Sequence, residues 1–231
     1  MALRTLPFLF ALTGVLLAQV PTNHAEQAKQ AQEVLAGWPK MSNAEKSAAI
    51  ERAAALGTTA AAHALAPKLH DKAAPIRKEI ALALGKLKDD KSVPALLTQL
   101  EADADEKTGD VDAFLAICQA LGEIGDARAI QPLVHGVLSG NRRDPNWQKR
   151  GDARVQALGG IRHKDSIEEL MGLWQRGASG GRGAAGGNGA RNPFSSSITS
   201  SLNKLTGQNL SEQKAYQDWW KDNKDRFKFK K

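Results

Sequence analysis

The chain has 231 residues and a formal net charge of +7, and 42% of its residues are hydrophobic although only 5% are aromatic. This composition allows a sizeable core but disfavours a β-rich fold, because strands favour β-branched and aromatic residues whereas alanine and leucine dominate here. The single cysteine, Cys118, excludes an intrachain disulfide, and the basic balance is compatible with anionic partners.

The first predicted segment is a secretory signal over residues 1–18. Arg4 precedes an apolar run that ends on small residues at Ala18, and this run is too short to span a bilayer as a helix. We expect cleavage near Ala18, although the residues alone also allow a later site or an uncleaved anchor. The signal predicts that the mature chain is exported, either periplasmic or secreted. No later stretch is apolar enough to cross a bilayer, so we expect no spanning helix in the mature chain.

Residues 19–42 are expected to form an N-terminal capping helix. The stretch 23–36 is polar and alanine-rich, and a Gly-Trp-Pro sequence with Trp38 at its centre ends it. A solenoid needs a terminal element of this kind, with one polar face. We therefore interpret Trp38 as a packing residue rather than a ligand contact.

An internal repeat defines the next segment, residues 43–176. The triplet Ala-Leu-Gly recurs at 83–85, 120–122 and 157–159, at intervals of 37 residues. Apolar residues stand 9, 12, 13 and 16 positions beyond each leucine, which is the spacing of one helix face. Each unit therefore predicts a helix, a tight turn and a second helix, with the triplet glycine at a left-handed helix end. A weaker triplet at 55–57 brings the array to about four hairpins.

Two charged inserts lie between hairpins, an acidic one at 101–112 and a basic one at 139–148. They occupy equivalent sites one repeat apart, so we expect them to be neighbours whose opposite charges face each other. The basic insert and the helix after it hold the best candidate cluster for binding a polyanion. The members of this basic cluster are Arg142, Arg143, Trp147, Lys149, Arg150 and Arg154. We favour neutralisation of the basic cluster by the acidic insert over polyanion binding.

The last segments are a Gly-rich linker, residues 177–192, and a helical tail with a basic end, residues 193–231. The linker cannot bury surface, so the two short tail helices are expected to be flexibly linked to the array. The second tail helix carries Tyr216, Trp219 and Trp220 as candidate binding residues. These rings either fold back on the array or dock on a partner or membrane interface. We favour folding back, because such an exposed aromatic patch is adhesive.

No group of residues in the sequence has the spacing that catalysis or metal binding requires. The five histidines lack the spacing and partners of a metal site. Cys118 stands at the repeat position of Ala81 and Val155, so we expect a small buried residue rather than a nucleophile. We therefore expect no catalytic residue, no metal and no cofactor, and a chain that is not an enzyme.

An isoleucine-arginine pair that ends at Arg77, and the segment Ala-Leu-Gly-Glu-Ile-Gly-Asp at 120–126, carry a family resemblance. They look like the bacterial HEAT-like repeats first described in phycobilisome lyases. The resemblance covers about residues 43–176 and implies an all-α, right-handed α-solenoid. Phe114 and Gly151 replace the signature arginine in the later units, so those repeats are degenerate.

The tail carries a second resemblance. The sequence Leu-Thr-Gly-Gln at 205–208, followed by the pair Trp219-Trp220, is similar to a terminal motif of exported bacterial HEAT-repeat proteins. This resemblance implies membership of a group of exported repeat proteins. It does not imply an activity.

The leading functional hypothesis is a non-enzymatic exported scaffold or adaptor that binds a protein partner on its helical surface. One alternative is a polyanion-binding module, for nucleic acid or another polyanion, that uses the basic insert and the tail. Another is an accessory subunit related to the lyase-type HEAT proteins. Such repeats serve as lyase scaffolds, adaptors and binding arrays, so the fold does not choose among these functions. The residue pattern also leaves the oligomeric state and the partner open.

Overall fold

The computed structural model describes residues 23–105, 107–179 and 192–229. The predicted signal segment, residues 1–18, and most of the predicted linker, residues 177–192, lie outside them. The described residues form eleven α-helices and no β-strand, which confirms the all-α class. The helices are α1 (His24–Val34), α2 (Asn43–Ala55), α3 (Thr59–Leu65), α4 (Ala74–Leu87), α5 (Val93–Ala104), α6 (Val111–Ile124), α7 (Ile130–Leu138), α8 (Trp147–Leu158), α9 (Lys164–Ser179), α10 (Ser195–Thr206) and α11 (Gln213–Asn223).

The helices pair into hairpins that stack in chain order. The pairs α2–α3, α4–α5, α6–α7 and α8–α9 are the four predicted hairpins, and their stack confirms the HEAT-like α-solenoid. The first helices α2, α4, α6 and α8 contact one another in sequence, and each second helix packs on the first helix of the next hairpin. None of the helices that the structure describes is long and apolar enough to cross a membrane.

Helix α1 covers the N-terminal end of the stack, where it packs against α2 and α3. The side chain of Asn23 caps it by accepting a hydrogen bond of 2.7 Å from the backbone N–H of Ala25. Trp38, in the following 3₁₀ turn, is buried, and its Nε1 donates to the Asp71 carboxylate at 3.0 Å. Lys46 binds the same carboxylate at 2.7 Å. Trp38 is therefore a packing residue, as its position predicts.

Two of the triplet glycines do not end their helices, which corrects the prediction for those two units. Gly57, in contrast, follows α2 with a left-handed φ of 64°, as predicted, and Gly159 caps the end of α8 with a φ of −66°, which is not left-handed. Gly85 and Gly122 lie inside α4 and α6. The residues with left-handed backbone come three positions later, Lys88 with φ of 52° and Gly125 with φ of 76°. The glycine that recurs at equal intervals along this chain must therefore have another physical cause at these two positions.

That cause is the close approach of successive first helices. A Cβ atom on Gly85 would lie 2.9 Å from the Cα of Ala120, and one on Gly122 would lie 3.0 Å from the Cα of Ala157. The glycine of each triplet thus faces the alanine of the next triplet, backbone against backbone. Only glycine leaves enough room there without displacing a helix.

The C-terminal pair α10–α11 continues this pattern on the far side of α8. A Cβ on Gly159 would lie 3.0 Å from the Cα of Ser201, and the Ser201 hydroxyl donates to the carbonyl of Val155 at 3.0 Å. Ser201, Leu202 and Asn203 therefore stand where the other first helices carry Ala-Leu-Gly. The predicted pair of short helices packs on the array as a fifth hairpin, although residues 180–191 before it are not described.

Asn203 replaces the glycine in this last hairpin. Its side chain donates to the carbonyl of Leu210 at 3.2 Å and accepts from the N–H of Leu210 at 3.1 Å. The hydroxyl of Tyr216 donates to the same amide oxygen. The asparagine therefore ties α11 and the turn before it to α10.

The aromatic residues of α11 fold back on the array. Tyr216 is fully buried with its ring centroid 6.2 Å from that of Trp174, and Trp220 is 5% exposed. Trp219 is half-buried and packs against Phe227, with the ring centroids 5.8 Å apart. The structure therefore supports folding back for two of the three aromatic residues that the sequence proposes for binding.

Replacing Gly85 by alanine tests the close helix contact. We expect Gly85→Ala to lower the free energy of unfolding by about 1–3 kcal/mol, because the added Cβ meets the backbone of α6. Gly172→Ala in α9 is the matched control, since its Cβ would meet only the flexible end of Arg176. We expect this control to raise the free energy by roughly 0.5–1 kcal/mol through helix propensity. Urea denaturation of both variants measures the difference, and equal stabilisation would contradict the contact.

Truncating the two neighbouring tryptophans tests the packing of the tail. Trp220→Ala should cost about 3–5 kcal/mol of unfolding free energy, because a fully packed side chain leaves a cavity. Trp219→Ala should cost less than half as much, because its side chain is half-buried. Denaturation curves measure both effects. Two equally small losses would mean that the tail does not belong to the folded core.

Candidate functional site

Two arginines of α8 stand at repeat positions that are apolar elsewhere. Arg154 follows Ile117 by 37 residues and Ile80 by 74, and both isoleucines are fully buried. Arg150 follows Ile76, which is also buried, by 74 residues. The repeat register therefore directs both guanidinium groups toward the interior rather than toward solvent.

Both guanidinium groups are indeed buried, against the ring of Phe114 on α6. Arg150 is 9% exposed and Arg154 is 7% exposed, and their Cζ atoms lie 5.8 Å and 5.1 Å from the ring centroid. Such stacking of a cation on an aromatic face is favourable and strengthens when water is excluded. Gly136 on α7 makes the room, because a Cβ there would collide with the Arg154 guanidinium.

The two arginines differ in their polar partners. Arg150 donates from Nη1 to the carboxylate of Asp144 at 2.5 Å, whereas Arg154 donates from Nη1 to the carbonyl of Pro132 at 2.8 Å. No carboxylate among the described residues lies within ion-pair distance of Arg154. Burial lowers the pKa of Arg154, since it penalises the charged form, and the carboxylate of Glu101 opposes this shift in part.

Trp147 begins α8 and joins the buried arginines to the protein surface. Its ring packs on that of Phe194 with centroids 4.9 Å apart, and the Cζ atom of Arg142 lies 5.4 Å from the centroid of the Trp147 ring. Gly140 passes so close that a Cβ there would lie 2.6 Å from the Cδ1 of Trp147. The indole Nε1 is buried and has no hydrogen-bond partner within the described residues.

Trp147, Arg150 and Arg154 line one cavity of about 210 Å³ between α6, α7 and α8. Its other walls come from Phe114, Asp144 and the connection between α7 and α8. The remaining basic residues of the predicted cluster are exposed, namely Arg142, Arg143 and Lys149. The structure thus divides the cluster into a buried pair and an exposed basic rim, which we define as Arg142, Arg143 and Lys149.

The described residues of the acidic insert make no ion pair with the basic cluster, which corrects that interpretation. Its buried Asp103 accepts two hydrogen bonds from Arg77, at 3.1 Å and 2.5 Å, and its Asp112 lies 3.3 Å from Lys78. These carboxylates therefore serve the hairpin before them. Over the residues that the structure covers, no ion pair joins the two inserts, although both contribute walls to the same cavity.

The candidate residues of the tail lie at a different place. Tyr216 and Trp220 belong to the core, whereas Trp219 borders a cavity of about 430 Å³ at the C-terminal end of the stack. Three basic side chains also line this second cavity, and its described lining holds no carboxylate. They are Arg162, Lys204 and Lys228.

Cys118 is buried in α6, as predicted from its repeat position. Its exposed fraction is 1%, and burial raises the pKa of its thiol to about 12. The thiol therefore stays protonated near neutral pH and is a poor nucleophile. In the described ranges, no group of three His, Cys, Asp or Glu side chains is placed to hold a metal ion.

Sequence reasoning missed Phe114, Gly136 and Asp144 as parts of the site. The sequence analysis named Phe114 only as the residue that replaces the signature arginine. In the structure, Arg150 and Arg154 both stack on its ring. The repeat register could have revealed this site. It places Arg150 and Arg154 at core positions of α8, and a buried arginine needs a neighbouring aromatic or polar group, which here is Phe114 of the previous hairpin.

Comparison with known proteins identifies the repeats. A family model described as the PBS lyase HEAT-like repeat matches residues 76–101 and 109–138, which cover α4–α5 and α6–α7. The chain is 43% identical over 60 residues to the bilin biosynthesis protein PecE of Mastigocladus laminosus, over 26% of this chain and 20% of that protein. It is 38% identical over 84 residues to PecE of Nostoc sp. (strain PCC 7120 / SAG 25.82 / UTEX 2576), over 36% of this chain and 29% of that protein.

These similarities confirm HEAT-like repeats and correct one expectation. The prediction that the chain is not an enzyme is wrong, because its relatives are named bilin biosynthesis proteins and its repeat model is that of a lyase. The chain spans less than a third of the length of each relative. The alanine and leucine positions of the repeat report only how the helices pack. They do not show whether the protein is a passive scaffold or takes part in catalysis.

The thiol of Cys118 offers a test of burial in α6. We expect no reaction with a disulfide reagent at pH 8 in the folded protein and full reaction after unfolding. Because the folded pKa of about 12 exceeds the reference value of 9.0, the unfolded chain loses this proton first as pH rises. Cys118 should therefore reduce stability between pH 9 and 12 by about 1.4 kcal/mol per pH unit.

The variant Cys118→Ala gives the pH dependence of all other groups. Subtracting its unfolding free energies from those of the wild type isolates the contribution of the thiol. Labelling of the folded wild type at the rate of a free thiol would contradict the buried site.

Proposed function

We propose that this protein is an exported HEAT-repeat adaptor that holds a protein partner and takes part, as an accessory subunit, in a lyase-type modification reaction. The repeat match and the two bilin biosynthesis relatives support the accessory role. The apolar segment at 1–18 supports export. Stacked repeats support protein binding, because they offer an extended, rigid surface.

The observation that carries the proposal is the basic rim beside the arginine cavity. Arg142 is held over the ring of Trp147, and Arg143 and Lys149 are exposed nearby. Within the described residues, no carboxylate lies within ion-pair distance of these three side chains. Arginine and tryptophan are the residues that dominate binding energy at protein interfaces, and unpaired rim charges speed association with an oppositely charged surface. The partner is therefore expected to present an acidic surface.

A second candidate function, binding of a polyanion, has a separate observation in its favour. The cavity at the C-terminal end combines Trp219 with three basic side chains. A polyanion is attracted to such a surface mainly through released counterions, so its affinity falls steeply with salt. A protein interface with an apolar centre is less sensitive to salt, which separates the two functions.

Affinity capture with a rim variant tests the adaptor function. The triple variant Arg142→Ala, Arg143→Ala and Lys149→Ala should lose at least about tenfold in affinity for the captured partner, which corresponds to about 1.4 kcal/mol. A control that loses the same charge elsewhere is Arg52→Ala, Lys86→Ala and Lys91→Ala, at exposed positions of earlier hairpins. We expect the control to bind as the wild type does. Capture from the exported fraction of the native cells, followed by titration with the recovered protein, measures both.

Two outcomes would overturn the proposal. One is recovery of an anionic polymer instead of a protein, with an affinity that falls steeply with salt and depends on the tail cavity. The other is equal binding by the rim variant and the control, which would place the interface elsewhere on the array.

A further inference from the structure

We propose that the cavity between α6, α7 and α8 is a binding site for a carboxylate anion, held by Arg150, Arg154 and the indole N–H of Trp147. The proposal depends on the lining of this cavity alone. It stands whether or not the exposed basic rim binds a protein partner, and it concerns a ligand small enough to enter the fold.

The first argument is that the repeat does not need arginine at these positions. Helix α4 fills the same two positions with Ile76 and Ile80. Helix α6 fills them with Ala113 and Ile117, and all four side chains are buried. An apolar solution therefore exists in this architecture, and replacing it with two buried cations carries a desolvation cost. The fold also shapes α7 around the guanidinium groups, since Gly136 leaves the space that Arg154 occupies.

The second argument is the supply of unused hydrogen-bond donors. Each guanidinium group offers five N–H donors, and buried donors are nearly always paired in folded proteins. Here the Nε of Arg150 and the Nε1 of Trp147 are buried and lack an acceptor within the described residues. Both residues line the same cavity. No described protein group supplies the missing acceptor, which leaves a molecule in the cavity to supply it.

The third argument is charge. Two guanidinium groups against the single carboxylate of Asp144 leave the lining with a net charge of +1. One monoanion balances this charge, whereas a doubly charged phosphate would exceed it. Planar guanidinium donors also match the two oxygens of a carboxylate, which accept parallel hydrogen bonds from one arginine.

The fourth argument is size. A volume of about 210 Å³ exceeds the space that a single water needs many times over, so a small organic acid fits. The rings of Phe114 and Trp147 supply apolar walls for its carbon atoms. The carboxylate can come from a free acid or from an acidic side chain, because both present the same two oxygens.

An NMR titration of the indole N–H of Trp147 tests the site directly. Acetate is added to the full chain at constant ionic strength, in exchange for chloride, and Trp147→Phe assigns the signal. We expect a saturable shift of this signal with acetate and none with acetamide, which has the same shape without charge. Arg154→Ile should weaken acetate binding by at least about tenfold, because one charged donor group is lost.

The variant Arg154→Ile is suited to this test because it restores the residue that the two previous hairpins carry, Ile80 and Ile117. Circular dichroism and thermal unfolding check that it folds. Arg154→Lys is a second variant that keeps the charge but loses the planar fork, and we expect intermediate binding. Arg52→Ala, at an exposed arginine of α2 that lies in neither cavity, should bind acetate as the wild type does.

A further arm separates the two sources of the carboxylate. A short peptide with blocked ends and one glutamate is compared with acetate, and its glutamine counterpart serves as the control. Tighter binding of the glutamate peptide than of acetate assigns the site to an acidic side chain, whereas weaker binding assigns it to a free acid.

The proposal is overturned by any of three results. These are an equal shift with acetamide, unchanged acetate binding in Arg154→Ile, and tighter binding of inorganic phosphate than of acetate. Absence of any shift when acetate replaces all of the chloride would also overturn it.

Discussion

The contact between successive first helices is the constraint on which the rest of the array depends. A glycine of one helix meets the backbone of a small residue on the next, Gly85 on Ala120 and Gly122 on Ala157. Helices this close have a fixed axial register, because sliding one along the other would bring side chains into the contact. Each residue of one first helix therefore lies near its own equivalent on the next, with the same small offset in both contacts, since Gly85 meets Ala120 two residues before its equivalent Gly122. The arginines of α8 stack on Phe114 of α6 for this reason.

The periodicity of the sequence was enough to predict the hairpins, since apolar spacing reports helix faces directly. It was not enough to assign the triplet glycine, because a glycine in a helix contact and a glycine at a helix end look alike in one chain. The fifth hairpin was hidden for a similar reason. Ser201 keeps the small size that the contact needs, but Asn203 does not repeat the glycine, and the interval before it is longer.

The candidate site was half predictable. The basic residues of α8 were found by composition, yet composition placed all of them at the surface and paired them with the acidic insert. Repeat register would have separated Arg150 and Arg154, which stand at core positions, from Arg142 and Arg143 in the connection. The choice of partner could not be read from charge, since Asp103 is taken by Arg77 in the preceding hairpin. Asp103 thus binds a buried arginine of its own hairpin rather than the larger basic cluster one repeat later.

Asn203 also bears on how an array of this kind changes length. A hairpin duplicated inside the stack meets a glycine on one side and a small residue on the other, so it joins both neighbours without a clash. A hairpin added beyond α11 would meet the side chain of Asn203, already bonded to Leu210 and Tyr216. The last described hairpin, with its asparagine and its aromatic helix, therefore offers a further hairpin no glycine contact of the kind that joins the hairpins before it.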